Sequence, residues 1–357
     1  MFQKNIEQLL NDLLSVKSVT KKKSKEIIDV ARQYLESKRI ASENFIFSDG
    51  QNDFHNLISY KDFGRENTIT LLGHLDVIDA DNTRQWRPYK KNGYLYARGS
   101  ADDKGGSAAA ILAFVDSLES NYNLQLILTT DEEIGGFHGA KKILESKESK
   151  PGDLTIAIEP FGDEIIHQHY GVLRFGVEFS NPTSHTKTRG ENALKNYINF
   201  TKEAERLIQK YDTHQRAIFS PTYLGDSNEA VGDLEKLGQN PGYALAKYDL
   251  RTVPSTDIDK LYSELEELAN TFDGVNKITK DVDGPSLNTD LNNEHVQNIL
   301  KLGYKPKVET CSTDAKWVKG TAVVFGPKGY DIHGSEECVK LNSLGEFYKT
   351  LKTIFNS

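Results

Sequence analysis

Apolar residues recur three and four positions apart at the start of the chain, where Ile6, Leu9, Leu10, Leu13 and Leu14 are separated by Gln, Asn, Glu and Asp. That spacing predicts an amphipathic helix. A second is predicted over residues 22 to 37, with Ile27, Val30, Ala31 and Leu35 on one side. The pattern then shifts to short unbroken apolar runs, Thr68 to Leu72, Leu124 to Thr129 and Leu154 to Ile158. Such runs suit strands covered on both faces. Between them lie Ser107 to Leu118, small, apolar and rich in alanine, and the helical segment Ala140 to Ser146. Strands alternating with buried helices predict an α/β domain with a doubly wound, mostly parallel sheet.

Around Gln168 the texture changes. Residues 173 to 179 and 243 to 250 alternate with period two, which predicts strands with one wet face. Helices are predicted over Ala193 to Lys210 and Ile258 to Phe272, with a Gly-, Asn- and Asp-rich stretch from Gly225 to Gly242 between them. After Gly284-Pro285 the α/β texture returns with a helix (His295 to Leu302), a strand (Thr321 to Phe325) and a final helix (Leu344 to Phe355). The expected organisation is therefore one domain, residues 1–168 and 284–357, interrupted by an inserted α+β domain at residues 169–283.

Charge and cysteine content narrow the setting. Lys and Arg number 44 against 52 Asp and Glu, a formal net charge of -8. This balance argues against a nucleic-acid surface, which needs clustered cations. The basic run Lys21-Lys22-Lys23-Ser24-Lys25 is read as the solvated start of a helix. Two cysteines, Cys311 and Cys338, cannot build a disulfide framework, and a reducing, cytoplasmic setting is expected. No secretory pattern opens the chain, and no run approaches the ~20 apolar residues that span a bilayer.

The chemistry is expected where the strands end, because ligands of open α/β sheets bind beyond the carboxyl ends of the strands. The run to Leu72 continues into Gly73-His74-Leu75-Asp76, the run to Thr129 into Thr130-Asp131-Glu132-Glu133, and the run to Ile158 into Glu159-Pro160. Asp102 and Asp103 stand in a glycine-punctuated loop. Imidazole and carboxylate donors without thiolate suit zinc, with cobalt or manganese as alternatives. His74, Asp102, Glu133, Glu159 and one further His would serve two divalent ions with one carboxylate shared. Neighbouring residues in extended chain point opposite ways, so Glu133 could face a metal while Glu132 faces a water, as a general base should. The glycines near Asp102 lack the Gly-Lys-Ser or Gly-Lys-Thr ending of a phosphate loop. His167-Gln168-His169 is not read as a metal site, because no carboxylate partner is apparent near it. Cys311 is read as a small buried residue.

Taken in order, His74-Leu75-Asp76, Arg98-Gly99-Ser100-Ala101-Asp102-Asp103-Lys104-Gly105-Gly106, Thr130-Asp131-Glu132-Glu133, Glu159-Pro160, and Gly326-Pro327 with His333 and Glu337 resemble a known motif series. It is that of the di-zinc amidohydrolases that include acetylornithine deacetylase, succinyl-diaminopimelate desuccinylase and carboxypeptidase G. The resemblance covers essentially the whole chain. It implies His74 and Glu159 as ligands of one ion, Glu133 and His333 of the other, and Asp102 as the bridge. Glu132 matches the general base, and Asp76 the carboxylate that orients His74. The resemblance also implies a cis peptide bond after Asp102 and a ferredoxin-like insert that serves as lid and homodimerisation domain. From that insert His185 resembles an oxyanion-stabilising histidine, and Arg251 an arginine that grips a substrate carboxylate. Departures are Asp79, where the family usually has Pro, and Thr186-Lys187-Thr188-Arg189, where it has small residues. The implied activity is hydrolysis of the amide bond of a small N-acyl amino acid, with a dipeptidase or carboxypeptidase as the alternative. Neither nucleic acid nor membrane is expected as a partner.

Overall fold

The structure, a computed structural model, describes residues 2–146, 149, 152–181, 184–185, 192–225, 239–240 and 242–357. The chain begins with α1 (Phe2–Leu14), α2 (Ser24–Ser37), β1 (Glu43–Ser48), β2 (Asp53–Lys61) and β3 (Thr68–His74). Helix α3 (Lys104–Val115), β4 (Asn123–Thr129), β5 (Leu154–Ala157) and β6 (Glu164–His169) follow. Next come β7 (Gly171–Ser180), α4 (Ala193–Gln209), β8 (Ile218–Gly225), β9 (Tyr243–Thr252), α5 (Ile258–Asn270) and β10 (Val275–Gly284). Strand β11 (Ala322–Val324) and helix α6 (Leu341–Phe355) close the chain, with shorter pieces between.

These elements form two compact units. One comprises Met1–Gln168, Thr289–Val308 and Thr313–Ser357, the other His169–Asn288 and Glu309–Ser312. In the first, the sheet runs β1-β2-β4-β3-β5-β11-β6. The pairs β3/β4, β3/β5 and β5/β11 are parallel, whereas β1/β2, β2/β4 and β11/β6 are antiparallel. The α/β class is as expected, and the sheet is mixed, with a parallel centre and antiparallel flanks. Every residue of β3, β4, β5 and β11 is buried, which explains their unbroken apolar runs.

Helix α3 is buried along its whole length. A helix apolar all round belongs in a core, and its small residues let it approach the loop before it. A Cβ added at Gly105 would lie 2.3 Å from the backbone oxygen of Ser100, and one at Gly106 would lie 2.4 Å from Asp103 Oδ1 and 2.5 Å from Ile158 Cγ2. The apolar stripe of α1 is buried as its spacing predicts, and shares one core with Ile111, Phe114 and Phe347.

The second unit runs β7-α4-β8-β9-α5-β10, with a four-stranded antiparallel sheet in the order β8-β9-β7-β10. This is a ferredoxin-like arrangement with its own core, including Phe175, Phe179, Phe200, Tyr248 and Leu265. Burial in β9 alternates strictly, so its pattern shows in the sequence. Strands β8 and β10 were not expected. They are the sheet edges and mostly exposed or half-buried, so no period-two apolar signal marks them. Cys311 corrects another expectation: it is exposed, in the turn after the strand Lys305–Glu309, whereas Cys338 is buried. Among the described residues no helix is long and apolar enough to cross a membrane.

Gly105→Ala is expected to destabilise the metal-free protein by about 1–3 kcal/mol, because the obstructing atom is backbone and cannot swing aside. This exceeds the helix-propensity gain of about 1 kcal/mol, and the check is a lowered urea midpoint.

Candidate metal centre

The parallel centre of the sheet brings the expected residues to one edge. His74 is the last residue of β3 and pairs with Thr129, the last of β4. Leu72 pairs with Ala157, the last of β5. Three adjacent strand ends therefore lead into His74–Asp76, Asp131–Glu133 and Glu159. The turn into α3 adds Asp102, whose peptide bond to Asp103 is cis. His333 comes from the loop between the short strands Gly329–Tyr330 and Cys338–Lys340, with a left-handed φ of 64°.

Asp102 lies between the two histidines. Its Oδ1 is 2.9 Å from His74 Nε2 and its Oδ2 is 3.2 Å from His333 Nε2. His74 Nε2 also lies 3.9 Å from Glu159 Oε1, and His333 Nε2 lies 3.0 Å from Glu133 Oε2. Two donor groups result, each with one ligand atom per residue within 4.8 Å of the others: His74, Glu132 and Glu159, and Asp102, Glu133 and His333. Either group could hold a metal ion.

Asp76 sits behind the first group. The His74 Nδ1 faces the Asp76 carbonyl oxygen at 3.2 Å and its Oδ1 at 3.4 Å, which turns Nε2 toward Asp102. The same carboxylate accepts from the N–H groups of Glu132 (3.2 Å) and Glu133 (3.4 Å) and from the Thr20 hydroxyl (2.8 Å). Asp76 thus links two of the converging segments and ties them to Thr20.

The electrostatics are those of a site with too much buried negative charge. Burial pushes Glu132 and Glu159 well above the usual carboxylate range and raises Glu133. Burial also pushes on Asp102, but hydrogen bonds from His333 and His74 outweigh it and hold this group below its ordinary value. For His74 burial opposes protonation, and the bonds to Asp102 and Asp76 more than reverse that. Hydrogen bonds to Asp102 and Glu133 push His333, half-exposed, up to about 10. Without a metal these groups can balance only by holding protons, and divalent cations offer the other balance.

Thr20, Arg98 and Lys104 also serve this region, and sequence reasoning assigned them no role. Arg98 forms a fully buried ion pair with Glu337 at 2.6 Å. Lys104 donates from a fully buried Nζ to the Val16 carbonyl at 2.8 Å, and burial lowers it to about 7. A lone lysine opening a wholly apolar helix was the available signal. His167 serves the local structure: its Nδ1 donates to the Thr289 carbonyl oxygen at 3.0 Å.

Two expected residues belong to the other unit. His185 lies in a two-residue strand paired with Gln239, with its side chain outside the described residues, as are Thr186–Arg189. Arg251 lies on β9, where its Nε donates to Asp249 Oδ1 at 2.9 Å.

The model of Peptidase family M20/M25/M40 matches residues 70–357. The chain belongs to that family. This M20 metallohydrolase is 26% identical to an uncharacterised metallohydrolase of Methanocaldococcus jannaschii, covering 97% of this chain and 98% of the relative. It is 26% identical to the succinyl-diaminopimelate desuccinylase of Rickettsia akari, covering 95% and 96% of the two chains. Its fold is that of the aminopeptidase PepT from Bacillus cereus, with a TM-score of 0.79 at 18% identity over 99% of this chain and 98% of that one. An M20 family metallo-carboxypeptidase from Sulfolobus solfataricus gives 0.72 at 17% identity, covering 98% of each chain.

The His333 contacts carry a pH dependence in the metal-free M20 protein. Its pKa rises from about 6.5 in an unfolded chain to about 10 in the folded one. The stabilisation is therefore complete below about pH 6.5 and disappears as pH rises through the folded value. In an NMR titration of metal-free protein the His333 imidazole is expected to titrate above about pH 8. His333→Gln should remove that resonance and flatten the loss of stability over the same interval.

Proposed function

We propose that this M20 enzyme is a two-metal deacylase that hydrolyses the amide bond of a small N-acyl amino acid, with zinc as its metal. The observation carrying the reading is Asp102, which presents one oxygen to His74 at 2.9 Å and the other to His333 at 3.2 Å. A carboxylate so divided suits a bridge between two ions. His74 and Glu159 would hold one, Glu133 and His333 the other. A pair of divalent ions bound there would supply Lewis-acid polarisation of the substrate carbonyl and a lowered pKa for a water between them.

The chain's own groups do the rest. Asp76 accepts at the His74 Nδ1 side and fixes the imidazole with its other nitrogen inward. It also fixes the backbone N–H groups of Glu132 and Glu133, so both carboxylates start from an anchored turn. Glu132 takes a proton from the attacking water and returns it to the departing nitrogen, which is general base and then general acid catalysis. Its carboxylate also lies within ligand distance of His74 and Glu159; a base role and a ligand role differ in their consequence for metal content. From the inserted unit we assign His185 to the oxyanion and Arg251 to the substrate carboxylate, on the motif resemblance alone. The same resemblance supports a homodimer and a cytoplasmic location.

The acyl-group reading draws support from the desuccinylase relative, aligned over nearly all of both chains. The structural neighbours, an aminopeptidase and a metallo-carboxypeptidase, favour a peptidase as the second reading. A panel of N-acetyl, N-succinyl and dipeptide substrates distinguishes them: the deacylase releases acetate or succinate and leaves dipeptides intact. Elemental analysis is expected to find two zinc ions per chain, and chelation should abolish turnover until metal is returned. Glu132→Gln is expected to lower kcat by about 10²–10⁴ with two ions retained. Loss of one ion in that variant would make Glu132 a ligand, and unchanged kcat would remove it from the mechanism.

A further inference from the structure

We propose that Arg98 and Glu337 are a positioning pair that sets the separation of Asp102 and His333, and through it the affinity of one of the two ion positions. The proposal rests on the two-metal reading above. Glu337 uses both oxygens. Its Oε1 accepts from the N–H groups of Ala101 at 3.0 Å and Asp102 at 3.1 Å. Its Oε2 accepts from the N–H of Gly99 at 3.1 Å and from Arg98 Nη1 at 2.6 Å. All these donors belong to the segment Arg98–Asp102, so a single carboxylate holds the backbone that carries Asp102.

The guanidinium then reaches the other side. Arg98 Nη2 donates to the main-chain oxygen of His333 at 3.2 Å. Gln85 adds a parallel tie: its Nε2 donates to the Gly334 oxygen at 2.9 Å, and its own main-chain oxygen accepts from the Arg98 N–H at 2.9 Å. The Arg98 and Glu337 side chains are each 1% exposed. A buried ion pair is a weak source of net stability, since desolvation offsets its attraction. Geometry is what this one supplies.

His74 needs no such device, because it ends a strand paired on both sides, and Glu159 follows a strand of the same sheet. His333 stands in a loop at positive φ, half-exposed, and only its surroundings fix its distance from Asp102 and Glu133. Asp102 is shared by both positions, but the guanidinium contact to the His333 carbonyl belongs to one side, so the pair acts on the His333 position more than on the His74 position. Lysine at Arg98 would keep the charge but gathers its donors on one nitrogen, and so loses the rigid planar fork whose two nitrogens reach Glu337 and the His333 carbonyl separately.

The test is stepwise titration of metal-free protein with Zn²⁺ by calorimetry, with Co²⁺ spectra as a second record of ligand geometry. The step belonging to His333 is the one that His333→Ala abolishes. Arg98→Lys is expected to weaken that step by about 10–100-fold and to weaken the other, which shares Asp102, by much less. Gln85→Met, which spares the ion pair, should weaken the same step by less, and it carries the test if Arg98→Lys does not fold. Both steps unchanged, or both weakened equally, in a folded variant overturns the proposal. Wild-type protein that takes up fewer than two equivalents overturns the two-metal reading itself, and the proposal with it.

Discussion

The constraint that organises this protein is an excess of negative charge held out of water. Asp102, Glu132, Glu133 and Glu159 face two imidazoles at one edge of the sheet. In isolation each buried carboxylate would cost several kcal/mol to keep ionised. Much of the surrounding structure answers that demand with fixed N–H dipoles. Asp76 is held by two backbone N–H groups and Thr20, and Glu337 by three backbone N–H groups and Arg98. Asp76 and Glu337, behind the site, are satisfied by protein, which leaves the inward-facing anions short of positive charge.

The sheet makes this arrangement possible because its central strands are parallel. Carboxyl ends of parallel strands lie side by side, so residues 74, 129 and 157 are neighbours although the chain makes two crossovers between them. Close approach of α3 depends on Gly105 and Gly106, where a methyl group would strike the loop that carries Asp102. Packing and charge placement are one problem here. The small residues that let the helix settle also bring the shared carboxylate to the strand ends.

What could be read from sequence follows from the same physics. His74, Glu132, Glu133 and Glu159 were visible as a group because each follows an apolar run, and burial on both faces makes such runs conspicuous. His333 was reachable only through motif order, since nothing local to a loop announces its distance from Asp102. That distance depends on Arg98 and Glu337, which lie 239 positions apart. Edge strands β8 and β10 were silent because solvent exposure removes the alternation by which strands are recognised. Cys311 was misread because residue type alone was used where local chain path decides exposure.

The inserted unit separates the chain's two contributions to the sheet. Strand β11, which pairs with β5, and the loop bearing His333 are both made after that entire insert. During synthesis, the ribosome will have released the ends of β3, β4 and β5 long before their last neighbour exists. For that interval the nascent chain holds an unsealed sheet margin and an acidic half-site. A chaperone or an early-binding cation would have its greatest effect in this window, before the closing residues emerge.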